Sequence, residues 1–256
     1  MRRVYRPTPD DAALVGGAVG SLGEGVAVLR SEQGVLAAAT GAPWGPVVEL
    51  AQGVWERWPD RAHAILRNRV FVDAERAVDV ASAPVVAKKR CVVRAVGTAQ
   101  VADLGGAAAA ARARLEPVTL RARGVDALAW EAARTASVPD SRGVRALSDR
   151  PVVAALVARD GTPLLAARNQ AGRNRCLHAE VALVQLWWTA HGPIPPDVHV
   201  ATSLQPCRMC AAVLLAAAAS PGRLQVVYAV ADPGRLARQT SLARRGQERL
   251  AHPWVE

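Results

Sequence analysis

Two short stretches hold the residue types that do chemistry. In "RCLHAEVALVQLWW" (175–188), His178 and Glu180 stand on what reads as the entry turn of an apolar helix. A buried His beside a buried Glu costs several kcal/mol unless something binds them. In "PCRMC" (206–210), Cys207 and Cys210 are spaced i and i+3 at the start of another helix. A thiolate pair on one helical turn can grip a metal ion, and the unpaired N–H groups of a helix N-terminus favour thiolates. One imidazole from the other helix completes a three-ligand site of His178, Cys207 and Cys210. Three protein ligands leave the fourth tetrahedral position for water, the catalytic rather than the structural arrangement for zinc. Zinc brings the pKa of that water toward about 7. Glu180 is then placed to take the proton from the water and pass it to a leaving group without ligating the metal. A redox dithiol with an unrelated core His would leave Glu180 without a role.

The elements that must carry these residues alternate. Residues 125–137 read as a helix ended by Pro139, and 151–169 as two strands around Arg159-Asp160-Gly161. The 175–190 helix follows, then a strand at 198–204, a helix at 210–219 and a strand at 223–232. That order predicts a three-layer α/β architecture. The first hundred residues give a similar order, with strands over 24–40 around a glycine turn, a helix over 47–58, and strands at 69–74 and 90–99. Pairing Glu49 with Glu180 makes a rough internal repeat, with Val47 where the His would stand and no Pro-Cys-x-x-Cys after it. The expected layout is a smaller metal-free α/β domain over 1–102, a linker or connecting helix over the Ala-, Arg- and Gly-rich 103–124, and the metal-bearing domain over 125–256.

The 256 residues carry a formal net charge of +10, and of the 32 basic residues only Lys88 and Lys89 are lysines. A basic excess of this size points to a polyanionic partner, most simply nucleic acid. Candidate phosphate contacts are Arg173 and Arg175 before His178, Arg208 beside the second cysteine helix, and the arginines of 235–245, where 235–250 reads as a basic helix. "MRRVYRPTPDD" has no apolar segment after its charges, and the longest apolar run, 211–219, falls short of the roughly 20 residues of a membrane span. No membrane association is expected, and cysteines used for metal fit a cytoplasmic protein. Cys176 and Cys91 read as core thiols and His199 as a structural strand residue. Of Trp187 and Trp188, one is expected in the core and one at an interface. "GGAVGSLGEG" (16–25) reads as coil.

Residues about 125–232 resemble the cytidine/deoxycytidylate deaminase superfamily, and most of all its bacterial tRNA adenosine deaminase branch. That branch shows an Asn closing a strand, then His-Ala-Glu, then Thr-Leu-Glu-Pro-Cys-x-Met-Cys-Ala. Here stand Arg168-Asn169, His178-Ala179-Glu180 and Thr202-Ser203-Leu204-Gln205-Pro206-Cys207-Arg208-Met209-Cys210-Ala211. The resemblance implies a cytidine-deaminase-like α/β/α fold and a zinc cofactor. It also implies contact of Asn169 with the ribose and a backbone group of Ala179 offered to the base. The reaction implied is hydrolytic deamination of adenine or cytosine in single-stranded or looped nucleic acid. A free nucleoside or nucleotide as substrate, or a zinc-stabilised nucleic-acid-binding module without turnover, are the alternatives. A homodimer is one expected assembly. In the other, a degenerate first domain stands in for the second subunit as a pseudo-dimer. The departures are Gln205 for the Glu before Pro-Cys, which removes a charge near the base, Ala212 for a Gly, and Ala231-Asp232 for the Arg-Asp pair of the fourth strand. The short stretch after Asp232 is expected to truncate or replace the last strand and terminal helix.

Overall fold

Val26–Ser31 (β1) and Gly34–Ala39 (β2) form a hairpin, and Gly34 turns it at φ +93°, a conformation open to a residue without Cβ. The computed structural model describes residue 22 and residues 25–74, 76–86, 92–93, 102–136, 151–170 and 174–252. The chain divides into two compact units, residues 1–111 and 112–256.

In the first unit the hairpin is followed by α1 (Gly45–Arg57), α2 (Ala62–Ile65), β3 (Val70–Val72), α3 (Ala77–Val86), β4 (Val92–Val93), β5 (Ala102–Asp103) and α4 (Gly105–Arg112). Pro46 in the first turn of α1 gives up an N–H that would be unpaired there anyway. The sheet order is β4-β3-β1-β2-β5. β1 is antiparallel to β2 and β3, while β4 lies parallel to β3 and β5 parallel to β2. α1 covers the hairpin and packs on α3, burying Val47, Val48, Leu50, Ala51 and Val54.

The second unit holds α5 (Val125–Ala136), β6 (Val153–Val157), β7 (Pro163–Arg168), α6 (Ala179–His191), β8 (His199–Leu204), α7 (Arg208–Ala217), β9 (Val226–Val230) and β10 (Glu248–Leu250). Its sheet order is β10-β9-β8-β6-β7. One face of the sheet, with Val153, Ala155, Val157, Ala201, Val227 and Ala229, takes Leu128, Ala129 and Ala132 of α5. α6 lies against β6 and β7 and packs on α7, so the layers are helix, sheet, helix. The many alanines suit this closeness, since a small side chain lets helix and sheet approach without voids.

The two units share a four-strand frame. β4-β3-β1-β2 and β9-β8-β6-β7 have the same order and the same strand directions, with α1 and α6, then α3 and α7, in the same connections. α1 and α6 are each 13 residues long, and α3 and α7 each 10. Aligning the helix starts sets Trp44 against His178 and Asp79 against Cys210. Pairing Glu49 with Glu180 is therefore three residues out, because Pro46 begins α1 earlier than the apolar pattern does.

The 103–124 stretch, read as a linker or connecting helix, holds α4. Leu104, Ala108 and Ala111 are buried in the first unit, while Leu120 joins the core of the second and Val118 N–H donates to the Ala166 carbonyl (2.7 Å). The last strand is retained as β10, parallel to β9. The 235–250 stretch is not a helix: Gln239 (φ 53°) and Gly246 (φ 65°) break it, leaving one 3-10 turn at Ala243–Arg245 before β10. Cys91 and residues 16–21, 23 and 24 of the 16–25 stretch lie outside the described residues. No helix among the described residues is long and apolar enough to cross a membrane.

Candidate metal centre

β7 and β8 run in the same direction, so the helices that follow them start from one edge of the sheet. At the end of β7, Asn169 is pinned on both sides. Its Oδ1 accepts the Val152 N–H (2.9 Å) and its own N–H donates to the Val152 carbonyl (3.0 Å). The chain then closes a loop in which Gln170 N–H donates to the Leu177 carbonyl (2.9 Å), Asn174 N–H to the Gln170 carbonyl (2.8 Å) and Leu177 N–H to the Asn174 carbonyl (2.9 Å). Asn174 is buried and its Oδ1 accepts the Cys176 N–H (3.1 Å), a side-chain turn of the kind Asn favours. His178 emerges as the extended residue before α6, and Cys207 takes the matching place before α7.

The donor atoms converge. His178 Nδ1 lies 3.6 Å from Cys207 Sγ and 3.4 Å from Cys210 Sγ, and the two sulfurs are 3.5 Å apart. Zinc bonds of about 2.0–2.3 Å in a tetrahedron set such donors about 3.5–3.8 Å apart, so the three residues fit a zinc ion. Among the described residues, no other group of His, Cys, Asp or Glu side chains gathers this closely in threes. The Arg175 carbonyl accepts a hydrogen bond from the imidazole, the outer contact that fixes a ligating ring. Glu180 is buried in the first turn of α6, and its Oε2 accepts a hydrogen bond from Cys210 Sγ at 3.2 Å.

Charge here is shared rather than local. A hydrogen bond from Cys210, opposed by burial and aided by His178, holds the Cys207 thiol well below its ordinary range. Burial and the neighbouring thiolate push Cys210 well above it, so the pair keeps one proton on Cys210. Burial alone would lower the His178 pKa, but the Cys207 thiolate and then Glu180 raise it to about 9. Burial, reinforced by Cys207, raises Glu180.

The other sequence candidates separate. Ala179 is buried at the first turn of α6 and Arg208 is exposed at the first turn of α7. Asn169 is half-buried beside the site loop. Arg175 contributes its carbonyl to His178, a role its side-chain charge did not announce. Arg173 lies outside the described residues. Cys176 is fully buried away from the metal ligands, and burial pushes its thiol up. Trp187 and Trp188 are both half-buried, with Trp187 against His191 at 4.3 Å between rings, so neither is a fully buried core residue. Sequence reading missed Gln170 and Asn174, whose signal was only an Asn in a polar loop. It also missed Glu248, whose Oε1 accepts from Gln205 Nε2 (2.8 Å) and whose Oε2 accepts from Thr240 Oγ1 (3.0 Å).

In the second unit one helix start carries His-x-Glu and the next Pro-Cys-x-x-Cys. Residues 143–252 match the model of the Bd3614-like deaminase family, a likeness that supports a cytidine deaminase-like relationship. A solved structure from work on A-to-I editing by tRNA:A34 deaminases at the wobble position of transfer RNA is 28% identical over 36% of this chain and 68% of that one, with a TM-score of 0.28. Comparison with curated proteins gives no match.

Proposed function

We propose that the protein is a zinc-dependent hydrolytic deaminase of a nucleobase presented in single-stranded or looped nucleic acid. The observation that carries this reading is the convergence of three donor atoms with the buried Glu180 carboxyl beside them. His178, Cys207 and Cys210 would hold the ion. Bound there, zinc acidifies a water and so supplies the nucleophile at neutral pH. Glu180 Oε2 is the proton carrier. Burial raises its pKa, which suits a carboxyl that must hold a proton and then release it to a departing amine. The Val152 contacts fix the plane of the Asn169 carboxamide, which suits the ribose contact that the resemblance assigns to it. The +10 charge favours a polyanionic substrate over a neutral nucleoside. A deaminase cannot reach its target atom in a stacked duplex, so the base must be unpaired or flipped.

The first unit is, on the same reading, a metal-free relative of the second, and its strand order and helix lengths support this. At the place of the metal ligands it carries Trp44 and Asp79 instead of His178 and Cys210. The reading is tested by incubating the protein with free nucleosides and with single-stranded RNA and DNA, following ammonia release and base identity together. Turnover of an oligonucleotide, lost in Glu180→Ala, is expected. Turnover confined to free nucleosides refutes the nucleic-acid substrate.

A further inference from the structure

The metal ligands are flanked on one side by a loop that has no counterpart in the motifs. Residues 231–247 connect β9 to β10, and they fold back over the start of α7. The Arg208 N–H, one residue past Cys207, donates to the Leu236 carbonyl (2.9 Å), and Arg208 Nε donates to the Arg238 carbonyl (3.3 Å). A guanidinium nitrogen of Arg238 donates to the Pro233 carbonyl (3.3 Å). Arg208, Arg235 and Arg238 are all exposed. Among the described residues none of the three pairs with a carboxylate, unlike Arg249 on Asp126 or Arg61 on Glu32. Their positive charge adds to that of the α7 N-terminus.

The loop is also built to stay in place. Glu248 on β10 accepts Gln205 from the turn before Cys207 with one oxygen and the buried Thr240 of the loop with the other. Ala237 and Leu242 are buried beneath it, and Asp232 Oδ1 accepts the Gly234 N–H (2.7 Å). A surface loop that only carried charge for solubility would need none of these ties. A latched one has its ordering cost met before a ligand arrives.

We propose that Arg208, Arg235 and Arg238, held by the Glu248 latch, form the seat for the backbone phosphate next to the target base, with a nucleic-acid strand as its source. This rests on the deaminase reading of the neighbouring centre. The shared chemistry, a phosphate on a nucleotide, could also come from a free mononucleotide, and the test separates the two. The full chain carrying Glu180→Ala is titrated with a fluorescent single-stranded RNA between about 50 and 200 mM salt, alone and against AMP and CMP. The Arg235→Gln/Arg238→Gln form on that background should flatten the slope of log affinity on log salt by about 1.4, two contacts at roughly 0.7 each. Between the two salt limits its affinity deficit should therefore shrink about sevenfold. Glu248→Ala, which frees the loop but keeps both charges, should weaken binding with the slope held. An unchanged slope in the double variant overturns the seat, and wild-type binding by Glu248→Ala overturns the latch. Displacement by AMP or CMP as effective as by unlabelled RNA overturns the strand as source. Because binding is read without turnover, lack of activity on every substrate would sink the deaminase reading alone.

Discussion

Replacing Asp79 by Asn isolates the device that joins two helices in the first unit. Asp79 is fully buried in the first turn of α3, where its Oδ1 accepts the Val47 N–H at the start of α1 (3.2 Å). Its Oδ2 is buried without a hydrogen-bond partner among the described residues. Burial raises its pKa from 3.8 to about 6, with the Val47 N–H and Arg76 lowering it and Asp73 raising it. The sign follows from linkage. A carboxyl that binds its proton more tightly in the folded state stabilises fully below its unfolded pKa, and that contribution fades as pH rises through the folded one. The span from 3.8 to about 6 corresponds to about 3 kcal/mol lost between roughly pH 4 and 7. In Asp79→Asn the carbonyl can still accept from Val47 and no charge is buried, but the new NH₂ lacks an acceptor, at about 1–3 kcal/mol. The variant should thus be equal to wild type or up to about 2 kcal/mol more stable near neutrality, with its pH dependence over this window removed. Pulse-labelling hydrogen exchange during urea unfolding reads the 45–57 peptide separately from 179–191, so the two units need not unfold together. Parallel pH profiles for wild type and Asp79→Asn would refute the reasoning, and so would any effect seen mainly in the 179–191 peptide.

Other outcomes follow from the same geometry. Gly45→Ala should destabilise the first unit by roughly 2 kcal/mol or more in the same labelling experiment, because Gly45 sits at φ +74° and a Cβ would lie 2.6 Å from Asp79 Oδ1. Metal analysis of the purified protein should find about one zinc per chain, lost in Cys207→Ser or Cys210→Ser. Glu180→Ala should keep its zinc while turnover falls by roughly 10²–10⁴. Retained activity in that variant would remove Glu180 as the proton carrier.

The centre was legible because its residues are local in sequence. His178 and Glu180 share one helix start, Cys207 and Cys210 another, and only their meeting is tertiary. What escaped the sequence depends on distant partners or on weak periodicity. α3 is rich in alanine and valine with Pro84 inside it, so it shows no polar face to mark it as a helix. β5 has only two residues and exists by pairing with Leu36 and Ala37 of β2. The 235–250 stretch has leucines and arginines at helical spacing, yet ties from Glu248 to Gln205 and from Gln247 to the Pro221 and Leu224 carbonyls hold it as a loop. The start of α1 could have been read correctly from Pro46, a residue that prefers the first turn.

The two units answer one structural problem with different chemistry. Helices that start from the same sheet edge bring their positive ends and unpaired N–H groups together, and a buried negative group must meet them. In the second unit that group is the Cys207 thiolate beside Cys210 and an imidazole, three donors gathered closely enough to hold a cation. In the first unit it is one carboxylate, bonded to a backbone N–H and approached closely because Gly45 lacks a Cβ. Trp44 stands where His178 would, and its Nε1 donates to Glu49 Oε2 (2.7 Å), so the ring is turned to its own helix and supplies no ligand atom. Burial raises the Asp79 pKa, and the Val47 N–H and Arg76 offset that rise only in part. A brace of this kind joins the helices, but it offers neither a Lewis acid nor an open coordination position. On the proposed reading, the metal chemistry therefore belongs to the second unit.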